Sequence, residues 1–425
     1  MSSKKNKVHP PFSDLIENKL TGLSPIQKIM KIAEERNIRK MGLDPEEVIS
    51  FGGGWCNHRT PESLRQKYME IVSDPEKFHS SGRYSSIKGN YELREQISRF
   101  EKKIFDIKNL SFKNILLGQS STQLFYETLK VLCGHKDNVS FLDPTYANYS
   151  NAVKCALTDS KISFIPALDD TDWTYLKNPE DSLEKLKFLC EKEKTKVLVI
   201  PVPDNPTSQV PPDGFLKSCL EILSDNDGFL VLDHAYKELW FDEKPDCFSW
   251  SPVDKPNLIT IHSNSKWLSS LGRRLGWIEA DKDVISAFEK INESMLLSPD
   301  TLHSRTTAAF LRQSLEYNFL KEYIKEIRKL YEDTSKVMIK SIGRYLGWDL
   351  LVPQGGLYTC CPVPNDEDSV DFVEDLLKES GVLLIPGVGF GPSMSSALRL
   401  SYGPHCYSHD LIKEGIERIG EYMDG

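Results

Sequence analysis

Short apolar runs alternate with amphipathic stretches through the middle of the chain. The runs of four to six residues are typical of buried strands, whereas the longer stretches have the spacing of helices that bury one face. The predicted strands are residues 114–117, 139–142, 197–202, 229–232 and 258–261, and the predicted helices between them are residues 123–133, 147–156 and a helix from about 214. Strands separated by helices in this way predict an α/β fold with a mostly parallel sheet and right-handed crossovers.

The two ends of the chain follow a different pattern. An amphipathic helix is predicted over residues 25–39, and a short apolar run follows at 48–51. After a further strand at 275–278, residues 282–345 are predicted to be helical, with a break near 298. The last 80 residues predict a smaller α+β unit with strands at 356–361, 382–385 and 398–402 and helices at 370–380 and 409–423.

The length of 425 residues exceeds the roughly 250 to 300 at which one hydrophobic core stops growing, so more than one domain is expected. We predict an N-terminal arm and part of a small domain over residues 1–60, a large domain over 61–325 and a C-terminal small domain over 326–425.

Composition and charge narrow the class of protein. The net charge of -9, without a long basic run, argues against a nucleic-acid partner. No apolar run approaches the roughly 18 residues of a membrane span, so no membrane association is expected. The nine cysteines lack metal-ligand spacing, which predicts reduced thiols, a cytoplasmic location and no bound metal.

The connection between the strands at 258–261 and 275–278 carries candidate chemistry. Lys266 follows Ser263 and Ser265 and precedes Arg273 and Arg274. A lysine becomes a nucleophile when it is desolvated or placed near another cation. Hydroxyls and an arginine beside it are the groups that a phosphate needs. This pattern suggests a Schiff base to pyridoxal phosphate (PLP), although a Ser-x-Ser-Lys on its own is more often a solvated turn.

Other polar side chains follow the predicted strands, where ligands of such sheets bind. These are Ser120, Ser121 and Thr122, then Tyr146, Asn205, Asp233 and Tyr236; Arg399 lies on a strand of the small unit. A helix start with hydroxyls binds anions, a buried aspartate can keep a pyridine nitrogen protonated, and an arginine can hold a carboxylate. Each has a simpler explanation as a helix cap, a turn, a core residue or a surface charge. Their joint occurrence favours the functional interpretation.

In this order the motifs resemble those of the class I/II aminotransferases, which have PLP fold type I. The resemblance runs from about residue 20 to the C-terminus. It rests on Tyr84-x4-Gly89-x3-Leu93-Arg94, Ser120-Ser121-Thr122, Asp143-Pro144-Thr145-Tyr146, Asn205-Pro206-Thr207, Asp233-x-x-Tyr236, Ser263-x-Ser265-Lys266, Gly272-x-Arg274-x-Gly276, Gly355-Gly356 and Leu398-Arg399-Leu400-Ser401. The fold it implies has a seven-stranded, mostly parallel sheet in the large domain and a smaller α+β domain.

The resemblance also implies a role for each residue. Lys266 carries the cofactor and shuttles a proton, Asp233 pairs with the ring nitrogen, Asn205 and Tyr236 bind the phenolic oxygen, and Tyr146 stacks on the ring. Ser120, Ser121, Thr122, Ser263, Ser265 and Arg274 are the expected phosphate ligands. Tyr84 is expected to reach the phosphate of a neighbouring subunit, which implies a homodimer with a shared site. Arg399, helped by Asn205 and the backbone of Gly54, is expected to bind the substrate α-carboxylate.

Several details depart from the family pattern. Ser208 stands where glycine is common, His234 beside Asp233 is unusual and reads as a packed or hydrogen-bonded histidine, and the spacing favours Arg274 over Arg273 as the phosphate ligand.

The sequence indicates the substrate less specifically than it indicates the cofactor. Dicarboxylate-specific family members carry a second arginine in the segment that corresponds to residues 294–299, which contains none here. Similarity to valine/pyruvate-type members also suggests a monocarboxylic amino acid as donor and a 2-oxo acid as acceptor. A PLP-dependent lyase, decarboxylase or oxidase and a non-catalytic PLP-binding regulator remain alternatives.

Overall fold

The computed structural model describes residues 12–20, 23–157, 159–169, 171–364 and 367–424. The strands are β1 Ile49–Ser50, β2 Ile115–Gly118, β3 Asn138–Asp143, β4 Lys161–Pro166, β5 Leu168–Asp169, β6 Thr174–Tyr175, β7 Thr195–Pro201, β8 Phe229–Asp233, β9 Leu258–Ser263, β10 Gly276–Glu279, β11 Tyr358–Pro362, β12 Val382–Leu383, β13 Ile385–Pro386 and β14 Ala397–Ser401. The helices are α1 Pro25–Ile32, α2 Glu35–Lys40, α3 Glu62–Val72, α4 Pro75–Ser81, α5 Tyr91–Phe105, α6 Ser121–Leu132, α7 Asn148–Ala156, α8 Pro179–Glu193, α9 Asp213–Asp225, α10 Lys282–Met295, α11 Thr301–Glu316, α12 Phe319–Tyr345, α13 Ser369–Ser380 and α14 His409–Asp424.

A seven-stranded sheet in the order β2-β10-β9-β8-β7-β3-β4 forms the centre of the fold. Strand β10 is antiparallel to both of its neighbours, and the pairs from β9 to β4 are parallel. The predicted α/β class and the mostly parallel seven-stranded sheet are therefore confirmed. Because the parallel strands share one direction, their carboxyl ends lie along one edge of the sheet.

Helices cover both faces of this sheet. Leu116, Phe141 and Val231 belong to an apolar cluster on one face, against α6, α7 and α10. Leu117 and Leu232, one position further along β2 and β8, belong to the cluster on the other face, with α5, α8 and α9. Alternate residues of a strand point to opposite faces, so strands buried on both faces read as the continuous apolar runs seen in the sequence.

A second, antiparallel sheet has the order β11-β14-β13, and β1 pairs with β12 in parallel. Helices α13 and α14 pack together beside these strands, and α12 packs on α14. The predicted domain boundary at residue 325 falls inside the continuous helix α12, so both units share that helix. The remaining domain limits stay a prediction.

Some predicted elements differ from the structure. The helix predicted over 25–39 is two helices, because Glu34 has an extended backbone with ψ 137°. The strand predicted over 382–385 is divided between two sheets, since β12 pairs with β1 whereas β13 pairs with β14. Of the predicted N-terminal arm, residues 1–11, 21 and 22 lie outside the described residues, and Leu15–Lys19 form a short helix. Among the helices that the structure describes, none has the length and apolar character needed to span a bilayer.

A cluster of buried ionisable side chains lies beneath the carboxyl ends of β8 and β9. The Lys237 ammonium is 2.6 Å from Glu101 Oε2, and both side chains are at most 1% exposed. His262 lies between two carboxylates, with Nε2 3.6 Å from Glu279 Oε1 and Nδ1 4.0 Å from Glu101 Oε1. Burial raises the pKa of Glu238 well above its usual value, which favours its neutral form. Burial and the neighbouring Glu279 also raise the pKa of Glu101, and Lys237 and His262 oppose this rise. The Lys237 ammonium therefore stabilises the charged form of the Glu101 carboxyl.

We predict that Lys237→Met lowers the free energy of unfolding by about 3–5 kcal/mol, because it leaves a buried carboxylate without its cation. Urea unfolding followed by circular dichroism measures the loss. The control is Lys329→Met, which removes the exposed partner of Asp333 and is expected to cost about 0.5 kcal/mol or less. The double variant Glu101→Gln/Lys237→Met should recover part of the loss, and wild-type stability of Lys237→Met would contradict the prediction.

Candidate active site

A cavity of about 460 Å³ opens at the carboxyl edge of the seven-stranded sheet. Its walls come from the turns that follow β2, β3, β7, β8 and β9, from the segment after β1, and from β11 and β14. Twelve of the residues predicted from the sequence line it: Gly54, Ser121, Thr122, Tyr146, Asn205, Asp233, Tyr236, Ser263, Ser265, Lys266, Arg274 and Arg399. The structure thus brings together side chains that are up to 345 positions apart, from Gly54 to Arg399.

Two predicted residues are placed differently. Ser120 is the N-cap of α6, and its hydroxyl accepts a hydrogen bond from Gln123 N at 3.2 Å. It is buried but does not line the cavity, so the structure supports the capping role that the sequence left open. Tyr84 is 82% exposed and lies outside the cavity of its own chain. A Tyr84 contact to the cofactor therefore requires a second subunit.

Lys266 lines the cavity. Its Nζ donates a hydrogen bond to the Gly54 carbonyl and is 5.3 Å from the centroid of the Tyr236 ring. The Cys56 thiol donates to the Lys266 carbonyl at 3.1 Å. The segment after β1 therefore contacts both the side chain and the backbone of Lys266.

His58 also contacts the loop that carries Lys266. One ring nitrogen, Nε2, is 3.1 Å from the Trp267 carbonyl, and the other, Nδ1, is 2.8 Å from the Tyr331 hydroxyl on α12. Burial lowers the pKa of His58 to about 4, so the ring is neutral near pH 7. A neutral ring that meets a carbonyl donates from Nε2 and accepts at Nδ1, which joins α12 to the lysine loop.

Asp233 is the last residue of β8 and is 8% exposed. Its Oδ2 accepts a hydrogen bond from the Tyr149 hydroxyl at 2.7 Å, and its Oδ1 accepts one from Ala235 N at 3.0 Å. Burial raises the pKa of Asp233, while these two donors and the charge of Lys266 oppose the rise. A carboxylate in this setting gains strongly from any cationic group that enters the cavity.

Arg399 is held on β14 between two aromatic rings. Its Cζ lies 4.4 Å from the centroid of Tyr358 and 5.0 Å from that of Phe390. Nη1 donates to Asn205 Oδ1 at 3.1 Å and Nη2 to the Gly52 carbonyl at 2.9 Å. The Gly52 carbonyl is thus the backbone acceptor of the guanidinium, and Gly54, the expected backbone contact of the substrate carboxylate, lines the same cavity.

The Nε of Arg399 is buried and has no hydrogen-bond partner among the described residues. A buried donor without a partner is costly unless a ligand satisfies it. The guanidinium is therefore suited to an incoming carboxylate.

Hydroxyls and one arginine gather at the start of α6. Ser121 and Thr122 are the first residues of the helix, and across from them Ser263 Oγ is 2.8 Å from Ser265 Oγ. Arg274 lines the cavity, with its Nη1 bonded to the Leu271 carbonyl at 2.7 Å. A helix N-terminus with hydroxyls and a guanidinium is an anion site.

Arg273 points to a different part of the structure. Its guanidinium lies 5.3 Å from the centroid of the Tyr68 ring and bonds the Ser270 hydroxyl. It does not line the cavity, which agrees with the preference for Arg274 drawn from the spacing.

His234 is packed inside the fold. Its ring meets Phe248 and His262 edge-on at centroid distances of 5.2 Å, and neither ring nitrogen has a partner among the described residues. Burial lowers its pKa well below the usual value. This matches the packed histidine expected from the sequence.

Sequence reasoning missed two tyrosines that contact predicted site residues. Tyr149 donates to Asp233, and the Tyr358 hydroxyl is 2.6 Å from that of Tyr236. Tyr149 lies in the first turn of α7, just after the strand-end turn that holds Tyr146, and this position offered a signal for it. No local pattern marked Tyr358, because its partner is more than 100 positions away in the chain.

The chain matches the family model "Aminotransferase class I and II" over residues 46–419. It is 26% identical over 424 residues to an aspartate aminotransferase of Bacillus sp. strain YM-2, covering 97% of this chain and 100% of that protein. It is also 26% identical over 400 residues to the L-glutamine--4-(methylsulfanyl)-2-oxobutanoate aminotransferase of Bacillus subtilis, covering 93% and 94%. A solved aspartate aminotransferase mutant of Thermus thermophilus superposes with a TM-score of 0.83 at 20% identity, covering 97% of this chain and 100% of that one.

The protein belongs to the class I and II aminotransferase family. It is a PLP-dependent aminotransferase of fold type I, as the resemblance in the motifs implied.

The cavity fits this cofactor. It holds a primary amine, a buried carboxylate and an anion site within one space, and these match the aldehyde, ring nitrogen and phosphate of PLP.

We predict that Arg274→Ala weakens PLP binding about tenfold or more, because charge-assisted hydrogen bonds to the phosphate are lost. Ser120→Ala should leave the affinity near that of wild type and cost about 1 kcal/mol of stability as a lost cap. Titration of the apoenzyme with PLP, followed by absorbance, measures both variants. A larger affinity loss for Ser120→Ala than for Arg274→Ala would contradict this assignment.

Proposed function

We propose that this aminotransferase prefers a monocarboxylic amino acid with an apolar side chain as donor and transfers the amino group to a 2-oxo acid. One observation carries the proposal. Among the described residues that line the cavity, the basic ones are Lys266, Arg274 and Arg399. With these three committed to the cofactor amine site, the phosphate and the α-carboxylate, the described cavity wall has no further cation for a second carboxylate.

The rest of the cavity wall is apolar on one side. Ile26 and Met30 of α1, together with Trp55, Ala147 and Phe390, line it. An apolar side chain of the substrate gains about 25 cal/mol per Å² of surface buried against such a wall, whereas a carboxylate there would be desolvated without a partner. The turn at residues 294–299 also lacks the second arginine of dicarboxylate-specific members.

The relatives differ in their named substrates. The Bacillus sp. protein is named for aspartate, whereas the B. subtilis protein is named for glutamine and 4-(methylsulfanyl)-2-oxobutanoate, which each have a single carboxylate. Both are about equally similar to this chain, so we rest the preference on the cavity.

When bound, PLP supplies an aldehyde that condenses with amines and a ring that withdraws electrons from the substrate Cα. We assign Lys266 as the covalent attachment point and as the base that carries the proton of the Cα. Asp233, whose carboxylate is oriented by Tyr149, would keep the proton on the ring nitrogen. Asn205 and Tyr236 would donate to the phenolic oxygen, and Tyr146 would pack on the ring.

The other residues fix the ends of the bound molecules. Ser121, Thr122, Ser263, Ser265 and Arg274 bind the phosphate. Arg399, already oriented by Asn205 and Gly52, would bind the α-carboxylate, for which its unpartnered Nε is an available donor. A substrate held at its carboxylate presents its Cα to Lys266.

The alternative reactions use the same residues. Elimination, decarboxylation and oxidation differ from transamination in the substrate bond that is broken, and a regulator would bind PLP without turnover. The aminotransferase names of the relatives favour transamination. Formation of a 2-oxo acid that requires an added 2-oxo acid acceptor separates transamination from the other reactions.

We predict that the absorbance of the enzyme-bound PLP changes at least about tenfold faster with large apolar amino acids than with aspartate. The reason is that the second carboxylate of aspartate lacks a partner in the cavity. Stopped-flow absorbance with a panel of donors measures the rates. Lys266→Ala is the control and should give no conversion. Aspartate as the fastest donor would contradict the proposal.

We further propose that the enzyme is a homodimer that completes the site with Tyr84 of its partner. Tyr84 is exposed, and Ser85 N donates to Ser298 Oγ at 3.0 Å, which holds the 84–86 segment against the turn after α10, where Leu297 is also exposed. Helices α3 and α4, which contact each other, expose Met69, Val72 and Phe78. Exposed apolar side chains of this kind support an interface with a second subunit.

We predict that mixing Tyr84→Phe subunits with Lys266→Ala subunits restores activity that neither variant has fully alone. If Tyr84 acts across the interface, each hybrid dimer contains one intact site, and random exchange gives about a quarter of wild-type activity. Subunits are exchanged in mild denaturant and the mixture is assayed for activity. Light scattering confirms that the mixture is dimeric. A mixture that shows only the average of its two parents would contradict a shared site.

The nine cysteines are free thiols in the structure. Such thiols persist in a reducing compartment, which supports the proposed cytoplasmic location.

A further inference from the structure

The Tyr358 side chain joins two parts of the cavity wall. It is the first residue of β11, it is 1% exposed, and its hydroxyl is 2.6 Å from the Tyr236 hydroxyl. The two rings meet edge-on, at 79° and a centroid distance of 5.9 Å. Tyr236 comes from the turn after β8, so this hydrogen bond connects the three-stranded sheet to the cofactor side of the cavity.

Tyr358 is fixed from two further directions. Its backbone N donates to Ser208 Oγ at 3.0 Å, and Ser208 has a left-handed backbone with φ +56°. The Arg399 guanidinium lies over its ring at 4.4 Å. A Cβ added at Gly54 would lie 3.0 Å from the Tyr358 hydroxyl, so the backbone of Gly54 closes the remaining side.

Each of the two tyrosines has one hydroxyl hydrogen. If Tyr236 donates its hydrogen to the phenolic oxygen of the cofactor, as the proposed function requires, the hydrogen between the two tyrosines must come from Tyr358. A donor that itself accepts a hydrogen bond becomes a stronger donor. The cation over the Tyr358 ring withdraws electron density and favours the same direction of donation.

We propose that Tyr358 is a positioning residue that donates its hydroxyl hydrogen to Tyr236, strengthens the hydrogen bond from Tyr236 to the cofactor and links it to the guanidinium at Arg399. This inference rests on the proposed role of Tyr236. It makes a prediction about the protonation of the bound cofactor. Donors to the phenolic oxygen stabilise its anionic form and so lower the pKa of the nitrogen that joins Lys266 to the cofactor.

The test is a pH titration of the visible absorbance of the holoenzyme without substrate. In Tyr358→Phe the spectroscopic pKa is expected to rise by roughly a few tenths of a pH unit, because the Tyr236 donor is weakened. Tyr175→Phe is the control. The Tyr175 hydroxyl is buried, it has no hydrogen-bond partner among the described residues, and Tyr175 does not line the cavity, so its variant should titrate like wild type.

A double-mutant cycle with Tyr236→Phe shows whether the effect passes through Tyr236. Tyr236→Phe should raise the spectroscopic pKa, and adding Tyr358→Phe to it should cause no further rise. An unchanged or lower pKa in Tyr358→Phe overturns the inference; a lower value means that Tyr236 donates to Tyr358 instead. An equal rise in both backgrounds also overturns it.

The wild-type titration separates this inference from the proposed function. If wild-type protein with PLP shows no visible band, both fail. If the wild-type band titrates and shifts in Tyr236→Phe but not in Tyr358→Phe, the role of Tyr236 stands and only the inference about Tyr358 fails.

Discussion

The site depends on the common direction of the parallel strands. Strands β9, β8, β7 and β3 are neighbours and end at the same edge of the sheet. The residues that follow them therefore lie close together. The strands are buried on both faces and mostly apolar, and the polar groups that line the cavity follow at their ends. Asp233, Asn205, Tyr146 and Lys266 are each within five residues of such an end.

Convergence alone does not orient a reactive amine. The segment after β1, more than 200 positions before Lys266, supplies the Gly54 carbonyl for its Nζ and the Cys56 thiol for its backbone. Arg399 is likewise oriented before a substrate arrives, by Asn205, Gly52 and two aromatic rings. Groups that are held in advance lose little conformational freedom when a ligand binds.

The sequence predicted the parts of the site that lie at strand ends, because motif spacing and strand position are local properties. Lys266, Asp233, Asn205 and Arg274 all line one cavity, as expected. It did not predict Tyr358, whose importance arises from a contact with a residue of another sheet.

Other differences also have local physical causes. Ser120 has the residue type of an anion ligand, yet the need to cap α6 occupies its hydroxyl. The helix predicted at 25–39 has a continuous apolar pattern, which does not reveal the extended backbone at Glu34. Helical and strand spacing do not predict the preferred amino donor, because that preference depends on the shape and charge of the assembled cavity wall.

The neutral histidines His58 and His234 have a consequence for the behaviour of the enzyme in acid. In the unfolded chain a histidine takes up its proton near pH 6.5, whereas burial delays this uptake in the folded chain to about pH 4 for His58 and likewise lowers the pKa of His234 well below its usual value. Their pKa values are depressed by folding, so acidification below about pH 6.5 favours the unfolded chain progressively. Acid therefore destabilises this enzyme in part through two histidines that do not line the cavity.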